Sequence, residues 1–228
     1  MKLLKDLLGK IRKKEPLDIS VLKRNKSLSK IIIKEDDKLK ILSESDFEKK
    51  FDVKYLPNLL FKDLKMLKDV QSKSQKALKD LDIAEKEIWL GTYYEKEIKF
   101  GRVANAYIKW IDEYKGYGLF ALFDLKPETF IGEYTGEVRR HKKALDEKNS
   151  YCFEYKIGSS SKYTIDAKYM GNIIRFINHS FLPNLTTAAA YQGGIVHIIL
   201  KTNSYIKKDS ELSYDYGPTY WKKRENPL

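Results

Sequence analysis

The sequence contains very little cysteine and histidine. Cys152 is the only cysteine, and the three histidines stand at positions 141, 179 and 197. A single cysteine excludes both a disulfide within the chain and a zinc cluster built from cysteine ligands. The histidines are too few and too widely spaced to predict another metal site, so we expect no bound metal and a reducing compartment.

Long hydrophobic runs are also missing from the sequence. No stretch of about 18 residues is apolar throughout, so no membrane-spanning helix is predicted. Residues 1–14 lack the uninterrupted apolar region and the small-residue cleavage site of a secretory signal. We therefore expect a soluble, cytoplasmic protein, and export by a route that reads other signals stays open.

Acidic residues are scarce at the start of the chain. The whole chain carries a formal net charge of +12. Residues 1–30 hold ten Lys and Arg against three Asp and Glu, whereas residues 31–101 are neutral. A solvated, lysine-rich surface explains this excess, and so does a basic arm that approaches nucleic acid or another anionic surface. Both interpretations stay open.

The first hundred residues have mainly the periodicity of helices. Apolar residues between Leu3 and Ile11 recur at helical spacing with Lys and Arg opposite them, which predicts a basic amphipathic helix that ends before Pro16. Such a helix contacts a membrane or a partner, or it packs its apolar side on the domain. Short apolar runs on both sides of an acidic turn in residues 27–42 predict a small hairpin.

A capping motif and a long helical pattern complete this region. Ser45-Asp46-Phe47-Glu48 has the form of a capping box and predicts the start of a helix. Leucine and alanine then continue a helical periodicity through about residue 90, and Gly91 is the expected stop. We therefore interpret residues 1–101 as a basic, mostly helical N-terminal region.

After about residue 103 the sequence changes to short apolar runs separated by turns. Residues 107–111 alternate like a strand, residues 115–118 are predicted to be a turn, and glycine-containing turns separate later runs. This pattern of short apolar runs and turns predicts a β-rich domain over residues 102–217. An aromatic and basic segment follows at residues 218–228, and the chain is expected to be α+β overall.

Two polar motifs stand about thirty residues apart in the β-rich region. The first is Arg-Phe-Ile-Asn-His-Ser at residues 175–180, followed by Pro183-Asn184, and the second is Glu-Leu-Ser-Tyr-Asp-Tyr-Gly at residues 211–217. Alone, the first motif is typical of a buried strand that ends in a polar turn. Together, and in this order, the two motifs resemble the paired signature of SET-domain lysine methyltransferases.

The resemblance covers about residues 103–221 and includes two further segments. Gly116-Tyr117-Gly118 is similar to the family's Gly-x-Gly loop, and residues 132–137 are similar to its Gly-Glu-Tyr-x-Gly-Glu strand end. Many family members that act on histones carry cysteine-rich zinc clusters beside the domain, which a chain with one cysteine cannot have. In overall form the chain resembles the compact bacterial and viral SET proteins, including chlamydial ones that are exported to act on host chromatin. Tyr220 or Trp221 is expected to close the site in place of zinc.

The resemblance implies a fold and a set of site residues. The implied fold is the mainly β SET fold, with short curled sheets and a C-terminal pseudoknot in which the segment at Pro183 threads through a loop. The implied catalytic residue is Tyr216, and the implied cofactor is S-adenosylmethionine. The residues implied to bind this cofactor are Gly116, Tyr117, Gly118, Tyr151, Arg175, Asn178, His179 and Trp221. The residues implied to form a channel for the target lysine are Tyr134, Tyr151, Tyr214 and Tyr216.

The reaction of this family suits a site rich in tyrosine. A methyl group passes from a sulfonium to an amine by in-line displacement, which needs a neutral lysine and an aligned, dry site. Burial and the nearby sulfonium both disfavour the ammonium form, so no dedicated base is required. The family places Phe or Tyr at the position of Tyr214, where a hydroxyl occupies space and holds a water or the amine. We therefore expect mono- or dimethylation to be favoured.

The expected substrate is a histone or another lysine-rich protein that binds DNA. The basic N-terminus is expected to contact DNA or a nucleosome. An acidic rim formed by Glu133, Glu137 or Glu154 would attract a basic tail locally despite the net charge of +12. A bacterial DNA-compacting protein and the chain's own lysines are alternative substrates. His197 is expected to be an ordinary residue on a strand face.

Two other functions stay open at this point. One is a SET-fold binding module that has lost catalysis, although Asn178, His179 and Tyr216 are all present. The other is a nucleic-acid-binding protein that uses the basic arm. Salt-sensitive DNA binding that survives deletion of residues 103–228 would support the second function.

Overall fold

The computed structural model describes residues 29–221. The helix predicted for residues 1–14, most of the basic arm and residues 222–228 lie outside this part of the chain. The strands are β1 (Ile31–Glu35), β2 (Lys38–Leu42), β3 (Lys54–Tyr55), β4 (Leu60–Phe61), β5 (Ala106–Asp112), β6 (Gly116–Ala121), β7 (Phe130–Glu133), β8 (Glu137–Arg140), β9 (Cys152–Ile157), β10 (Ser160–Asp166), β11 (Met170–Gly171), β12 (Asn178–His179), β13 (Leu185–Gln192), β14 (Ile195–Thr202) and β15 (Ser213–Tyr214). The α-helices are α1 (Glu44–Phe51), α2 (Leu64–Lys79), α3 (Glu85–Tyr93), α4 (Glu95–Lys99), α5 (Lys143–Asp146) and α6 (Pro218–Trp221), and a 3₁₀ helix spans Ile173–Phe176.

The described part is mostly β, as predicted, and its strands form several short sheets. Two sheets have four strands each, in the orders β2-β1-β5-β6 and β4-β8-β10-β9. A third sheet has the order β13-β14-β7, and β3 with β11 and β12 with β15 form two-stranded pairs. The predicted strand at residues 107–111 is confirmed as part of β5. The threading of a pseudoknot stays a prediction.

Strands from the N-terminal region pair with strands of the β-rich region. β1 lies parallel to β5, with Ile33 opposite Ile108, and β4 lies parallel to β8, with Phe61 opposite Val138. All four of these side chains are buried in one continuous hydrophobic cluster. Burial of each such side chain contributes about 2 kcal/mol. The residues on both sides of the expected division at position 101 therefore share sheets and a core.

The predicted hairpin is confirmed as the antiparallel pair β1 and β2. The helix that follows begins two residues before the predicted position, because Ser43 and not Ser45 is its N-cap. The hydroxyl of Ser43 accepts a hydrogen bond from the backbone N–H of Asp46 at 3.1 Å, and the Asp46 carboxylate accepts one from the backbone N–H of Ser43 at 3.4 Å. Asp46, three residues after Ser43, therefore closes this capping box. The sequence pattern had predicted a box closed by Glu48, three residues after Ser45.

Gly91 does not end a helix, contrary to the sequence-based expectation. It lies inside α3, and the helical pattern is instead interrupted earlier, at Leu81, whose φ is 59°. A Cβ atom at Gly91 would lie 1.8 Å from the carbonyl oxygen of Tyr191 in β13. Glycine is therefore required here for close approach between a helix and a strand, and not for a left-handed turn.

No helix within residues 29–221 has the length and apolar character that a membrane span requires.

Candidate active site

The two polar motifs lie side by side because β12 and β15 pair in parallel. Asn178 stands opposite Ser213, and His179 stands opposite Tyr214. The backbone N–H of Ser180 then donates to the carbonyl oxygen of Tyr214 at 3.2 Å. This pairing brings the polar end of the first motif against the tyrosines of the second.

An aromatic cluster surrounds Tyr216 at this junction. Its ring centroid lies 4.7 Å from that of Tyr214, 4.6 Å from that of Tyr220 and 5.4 Å from that of His179. The indole of Trp221 stacks nearly parallel to the Tyr216 ring, at 6.2 Å and 11°. The short helix α6 therefore closes one side of the cluster with aromatic side chains.

Two hydrogen bonds hold the polar groups of Tyr216, one to its hydroxyl and one to its backbone N–H. Its hydroxyl donates a hydrogen bond to the carbonyl oxygen of Ile177 at 2.8 Å, and its backbone N–H donates to Nδ1 of His179 at 3.1 Å. Burial raises the pKa of the Tyr216 hydroxyl well above its ordinary value. The hydroxyl is therefore protonated at neutral pH and acts as a hydrogen-bonding group.

His179 is held as a neutral imidazole within the cluster. Its side chain is only 4% exposed, and burial lowers its pKa, with nearby Asp215 opposing the shift. Because Nδ1 accepts the Tyr216 N–H, the proton of the neutral ring lies on Nε2. Within residues 29–221, Nε2 of His179 and Nε1 of Trp221 are buried without a hydrogen-bond partner. The two rings are 4.8 Å apart, so two unused N–H donors lie in the same cluster.

Tyr134 and Tyr151 form a second part of the site. The hydroxyl of Tyr134 donates to the carbonyl oxygen of Tyr151 at 2.9 Å, and burial raises the pKa of Tyr134 well above its ordinary value. The guanidinium of Arg175 lies 3.9 Å from the centre of the Tyr151 ring and donates from Nε to the carbonyl oxygen of Ala167 at 3.0 Å. In this structure, Arg175 therefore supports Tyr151, and its expected contact with a cofactor stays a prediction.

Tyr214 connects the two aromatic groups. Its ring stacks at 6.2 Å and 27° on Phe153, which itself lies 5.2 Å from Tyr134. The Tyr214 side chain is buried, and the contacts of its side chain among residues 29–221 are ring contacts with Phe153 and Tyr216. The same burial raises its pKa well above the ordinary value, so this hydroxyl is neutral and available to a ligand.

The Gly-x-Gly segment belongs to β6, whereas residues 115–118 were predicted to be a turn. The turn closes earlier because the Asp112 carboxylate accepts hydrogen bonds from the backbone N–H groups of Tyr114 and Lys115, at 2.9 and 2.7 Å. Strand β6 therefore begins at Gly116, in the left-handed region with a φ of 70°. The Tyr117 ring packs among aromatic side chains from three segments, Phe51, Trp110 and Phe176.

Gly118 and Asn178 meet at a polar contact that also includes Glu211. Nδ2 of Asn178 donates to Oε1 of Glu211 at 2.9 Å and to the carbonyl oxygen of Tyr117 at 3.3 Å. No role for Glu211 was predicted from the sequence. Its position as the charged first residue of the second motif was the signal that would have identified it. The structure thus joins the Gly-x-Gly segment to both motifs.

Glu133 differs from its expected position, whereas His197 lies on a strand as expected. Nδ1 of His197 lies 2.5 Å from Oε1 of Glu133, and Glu133 is only 2% exposed. Glu133 is therefore buried between strands β7 and β14 and does not contribute to an acidic rim, as had been expected. His197 does lie on a strand, but in a buried polar pair. Glu137 is half-buried and Glu154 is exposed.

Comparison with known proteins agrees with this geometry. Residues 116–217 match the family model described as the SET domain. The human histone-lysine N-methyltransferase EHMT1 is 33% identical over 111 residues, which are 46% of this chain and 9% of that protein. The histone-lysine N-methyltransferase ASHH1 of Arabidopsis thaliana is 36% identical over 130 residues, or 54% of this chain and 26% of that protein. The chain thus spans only a minor part of the length of these curated relatives.

Two solved structures are also similar to part of the chain. One is ctPRC2 in an autoinhibited conformation bound to S-adenosylmethionine, with 28% identity, a TM-score of 0.47, and coverage of 53% of this chain and 16% of that chain. The other is KRYPTONITE in complex with mCHG DNA and SAH, with 30% identity, a TM-score of 0.44, and coverage of 51% and 24%.

Proposed function

We propose that this chain is a protein-lysine N-methyltransferase that uses S-adenosylmethionine. The observation that carries the proposal is the parallel pairing of β12 with β15, which unites Asn178 and His179 with Tyr214 and Tyr216 in one buried site. The SET-domain match over residues 116–217 contains all four residues. SET-domain methyltransferases use S-adenosylmethionine as the methyl donor.

The polar groups of the site suit such a cofactor. Gly118 leaves space beside Asn178, because a Cβ atom there would lie 3.2 Å from Nδ2 of Asn178. The unused N–H groups of His179 and Trp221 are donors for carboxylate or hydroxyl oxygens. Burying such donors without a partner costs free energy, so a ligand that accepts from them is favoured. When bound, S-adenosylmethionine supplies an electrophilic methyl group.

The tyrosines of the site are suited to surround the side chain of a target lysine as it approaches that methyl group. Tyr134, Tyr151, Tyr214 and Tyr216 would surround the amine and exclude water, which disfavours its ammonium form. Held by these side chains, the neutral amine would lie in line with the methyl–sulfur bond of a bound S-adenosylmethionine, and this alignment is the main requirement of the transfer. The raised pKa values keep the hydroxyls of Tyr134, Tyr214 and Tyr216 neutral, so they orient the amine without removing its proton.

The proposal includes a preference for mono- or dimethylation. The hydroxyl of Tyr214 lies within the aromatic cluster, where it can hold the amine or a water molecule. Either arrangement occupies space that additional methyl groups would need.

The proposed substrate is a histone or another lysine-rich protein that binds DNA. The relatives that match the chain are named histone-lysine N-methyltransferases, which supports this class of acceptor. The basic arm at residues 1–30 is proposed to contact DNA and so to present the acceptor to the site. Action of a compact bacterial type of enzyme on the chromatin of a host cell is part of the same proposal. Removal of the arm should then reduce methylation of nucleosomes but not of free peptides, and an equal effect on both would contradict DNA contact.

The test is transfer of label from radiolabelled S-adenosylmethionine. Histones, nucleosomes and a bacterial lysate serve as acceptors, and enzyme without acceptor is the control for self-methylation. Tyr216→Phe should lower turnover by about 100-fold or more, because it removes a hydroxyl at the reacting centre while keeping the ring. Tyr114→Phe, at a side chain that is 76% exposed, is the matched control and should retain full activity.

The outcomes separate the candidate functions. Label on one class of acceptor, lost in Tyr216→Phe only, would establish the enzyme and its substrate class. Binding of the cofactor without labelling of any acceptor would favour a catalytically inactive module. Failure to bind the cofactor would overturn the proposal.

A further inference from the structure

Glu211 lies where three segments of the site meet. Its backbone forms a bridge to Phe120 in β6, and its carbonyl oxygen accepts a hydrogen bond from Nδ2 of Asn184 at 2.8 Å. Its side chain reaches the first motif, with Oε1 bound to Asn178. The other carboxylate oxygen, Oε2, lies 3.6 Å from the ammonium of Lys115, just before the Gly-x-Gly segment. The backbone of Glu211 is therefore fixed, and its carboxylate contacts Lys115 through one oxygen and Asn178 through the other.

The contact with Glu211 determines which group Asn178 can offer to a ligand. A side-chain amide has two N–H donors on nitrogen and acceptor capacity on oxygen. The two protein groups facing Nδ2, the Glu211 carboxylate and the Tyr117 carbonyl, are both acceptors, so the nitrogen of the amide must face them. Within residues 29–221, both hydrogen bonds of the Asn178 side chain are made by Nδ2 and none by Oδ1. The oxygen is therefore the part of the amide left for a ligand.

The space for this arrangement comes from Gly118. A Cβ atom at that position would lie 3.2 Å from both Nδ2 of Asn178 and Oε1 of Glu211, and 2.6 Å from Cδ1 of Ile111. Any side chain would press directly on the two bonded atoms. Strand β6 thus leaves room for the pair of Asn178 and Glu211 because it has glycine at position 118.

We propose that Glu211 is a positioning residue that, held by Lys115, orients the Asn178 amide so that its oxygen accepts a hydrogen bond from an amino group of the cofactor. The inference rests on the proposed function and adds to it a residue and a direction of hydrogen bonding. Glu211 acts through Asn178 and does not touch the reacting atoms. S-Adenosylmethionine and S-adenosylhomocysteine both carry such amino groups, on the amino-acid part and on the adenine.

The test measures binding of S-adenosylhomocysteine to the full chain by calorimetry, which needs no protein substrate. Glu211→Ala should raise Kd about tenfold, because the amide loses a hydrogen bond to a charged partner and is free to turn. Lys115→Met should raise Kd only about threefold, since it removes a half-exposed ion pair and leaves Glu211 in place. Glu113→Ala, an exposed carboxylate in the turn before β6, is the matched control and should bind like the parent chain.

A reciprocal exchange distinguishes orientation from general support of the fold. Asn178→Asp places two carboxylates in contact and should raise Kd more than about tenfold. Adding Glu211→Gln supplies an amide N–H to the new carboxylate at position 178 and leaves the second oxygen of that carboxylate as an acceptor for the cofactor. The double variant should therefore recover binding to within about threefold of the parent chain. Thermal unfolding of each variant checks that the fold is intact.

The outcomes are separate from those of the proposed function. Parental affinity in Glu211→Ala, or a double variant that binds no better than Asn178→Asp alone, would overturn the positioning role. A parent chain that fails to bind S-adenosylhomocysteine would instead overturn the proposed function. 5′-Methylthioadenosine, which keeps the adenine amine and lacks the amino-acid part, identifies the amino group. If Glu211→Ala loses affinity for S-adenosylhomocysteine alone, the amino group that Asn178 contacts belongs to the amino-acid part. If the variant loses affinity equally for both ligands, that amino group belongs to adenine.

Discussion

The indole of Trp221 stacks on the ring of Tyr216, with 6.2 Å between the centroids and 11° between the planes. The same indole meets His179 edge to face at 4.8 Å. One side chain of a short terminal helix therefore covers two residues of the candidate site. Aromatic pairs of this kind contribute about 1 kcal/mol each beyond their buried area.

Trp221→Ala should weaken cofactor binding about tenfold, because it uncovers Tyr216 and His179 and removes a buried N–H donor. The melting temperature should fall by only a few degrees, since each of the two lost aromatic pairs contributes about 1 kcal/mol. Calorimetric titration with S-adenosylhomocysteine measures the effect. Trp89→Ala serves as the control, because Trp89 is 43% exposed and stacks only on the exposed Tyr93 among the aromatic rings of residues 29–221. An unchanged Kd in Trp221→Ala would show that the helix does not close the site.

Tyr214→Phe should shift the products toward higher methylation states. The substitution removes the hydroxyl from the aromatic cluster and keeps the ring stacked on Phe153. The space and the hydrogen bond that hold a water or the amine are then lost. Mass spectrometry of the methylated acceptor should show the trimethylated fraction rising several-fold while total turnover is retained. The same product distribution in variant and parent would remove Tyr214 from this role.

Acidification should destabilise the protein through His179. Burial lowers the pKa of this residue, while the unfolded chain titrates near the ordinary value of about 6.5. The unfolded state therefore binds the proton more readily than the folded state does. The stability contributed by neutral His179 is complete above about pH 6.5 and is lost as the pH falls through the lower folded pKa. A proton on Nδ1 would also break the hydrogen bond from the Tyr216 N–H.

Melting temperatures measured from about pH 8 to pH 5 test this prediction. The parent chain should lose more stability than His179→Gln over the acidic half of the range, because glutamine has no proton to gain there. Above about pH 7, the difference between the two melting temperatures measures the packing that the substitution itself removes. Parallel curves for the two proteins across the whole range would contradict the prediction.

Gly91→Ala should destabilise the fold by about 2 kcal/mol, although alanine favours helices more than glycine does. The added methyl group would lie 1.8 Å from the Tyr191 carbonyl oxygen, so α3 and β13 would have to move apart. Urea unfolding measures the change in the free energy of unfolding. Lys86→Ala, at an exposed position of the same helix, should cost almost nothing. A stability equal to that of the parent chain would mean that the helix and the strand adjust without cost.

Local patterns predicted the local features of the fold well. The alternation at residues 107–111 became β5, and the acidic turn between apolar runs became the hairpin of β1 and β2. Errors occurred where two local solutions were nearly equivalent. Ser43 with Asp46 closes the capping box directly after β2 ends at Leu42, whereas Ser45 with Glu48 had been predicted to form it. Sequence patterns in a short window contain no information on that boundary.

Residues whose role depends on a distant partner escaped the sequence analysis. Gly91 looked like a helix stop because its need for a small residue arises from Tyr191, a hundred residues away. Glu133 looked like a surface carboxylate, but it is buried against His197. The role of Glu211 could not be predicted from its motif, because its contacts with Lys115 and Asn178 form only when the chain has folded.

The sequence by itself determined the chemical content of this protein: two motifs with Asn178, His179, Tyr214 and Tyr216 in a fixed order, one cysteine, and an excess of lysine. These follow from residue type and spacing, which a linear chain displays directly. Only the tertiary structure decided that β12 lies beside β15, that Trp221 covers Tyr216, and that the amide of Asn178 donates to Glu211. The reason is that each of these contacts joins segments selected by the packing of the shared core, and core packing depends on all the segments at once.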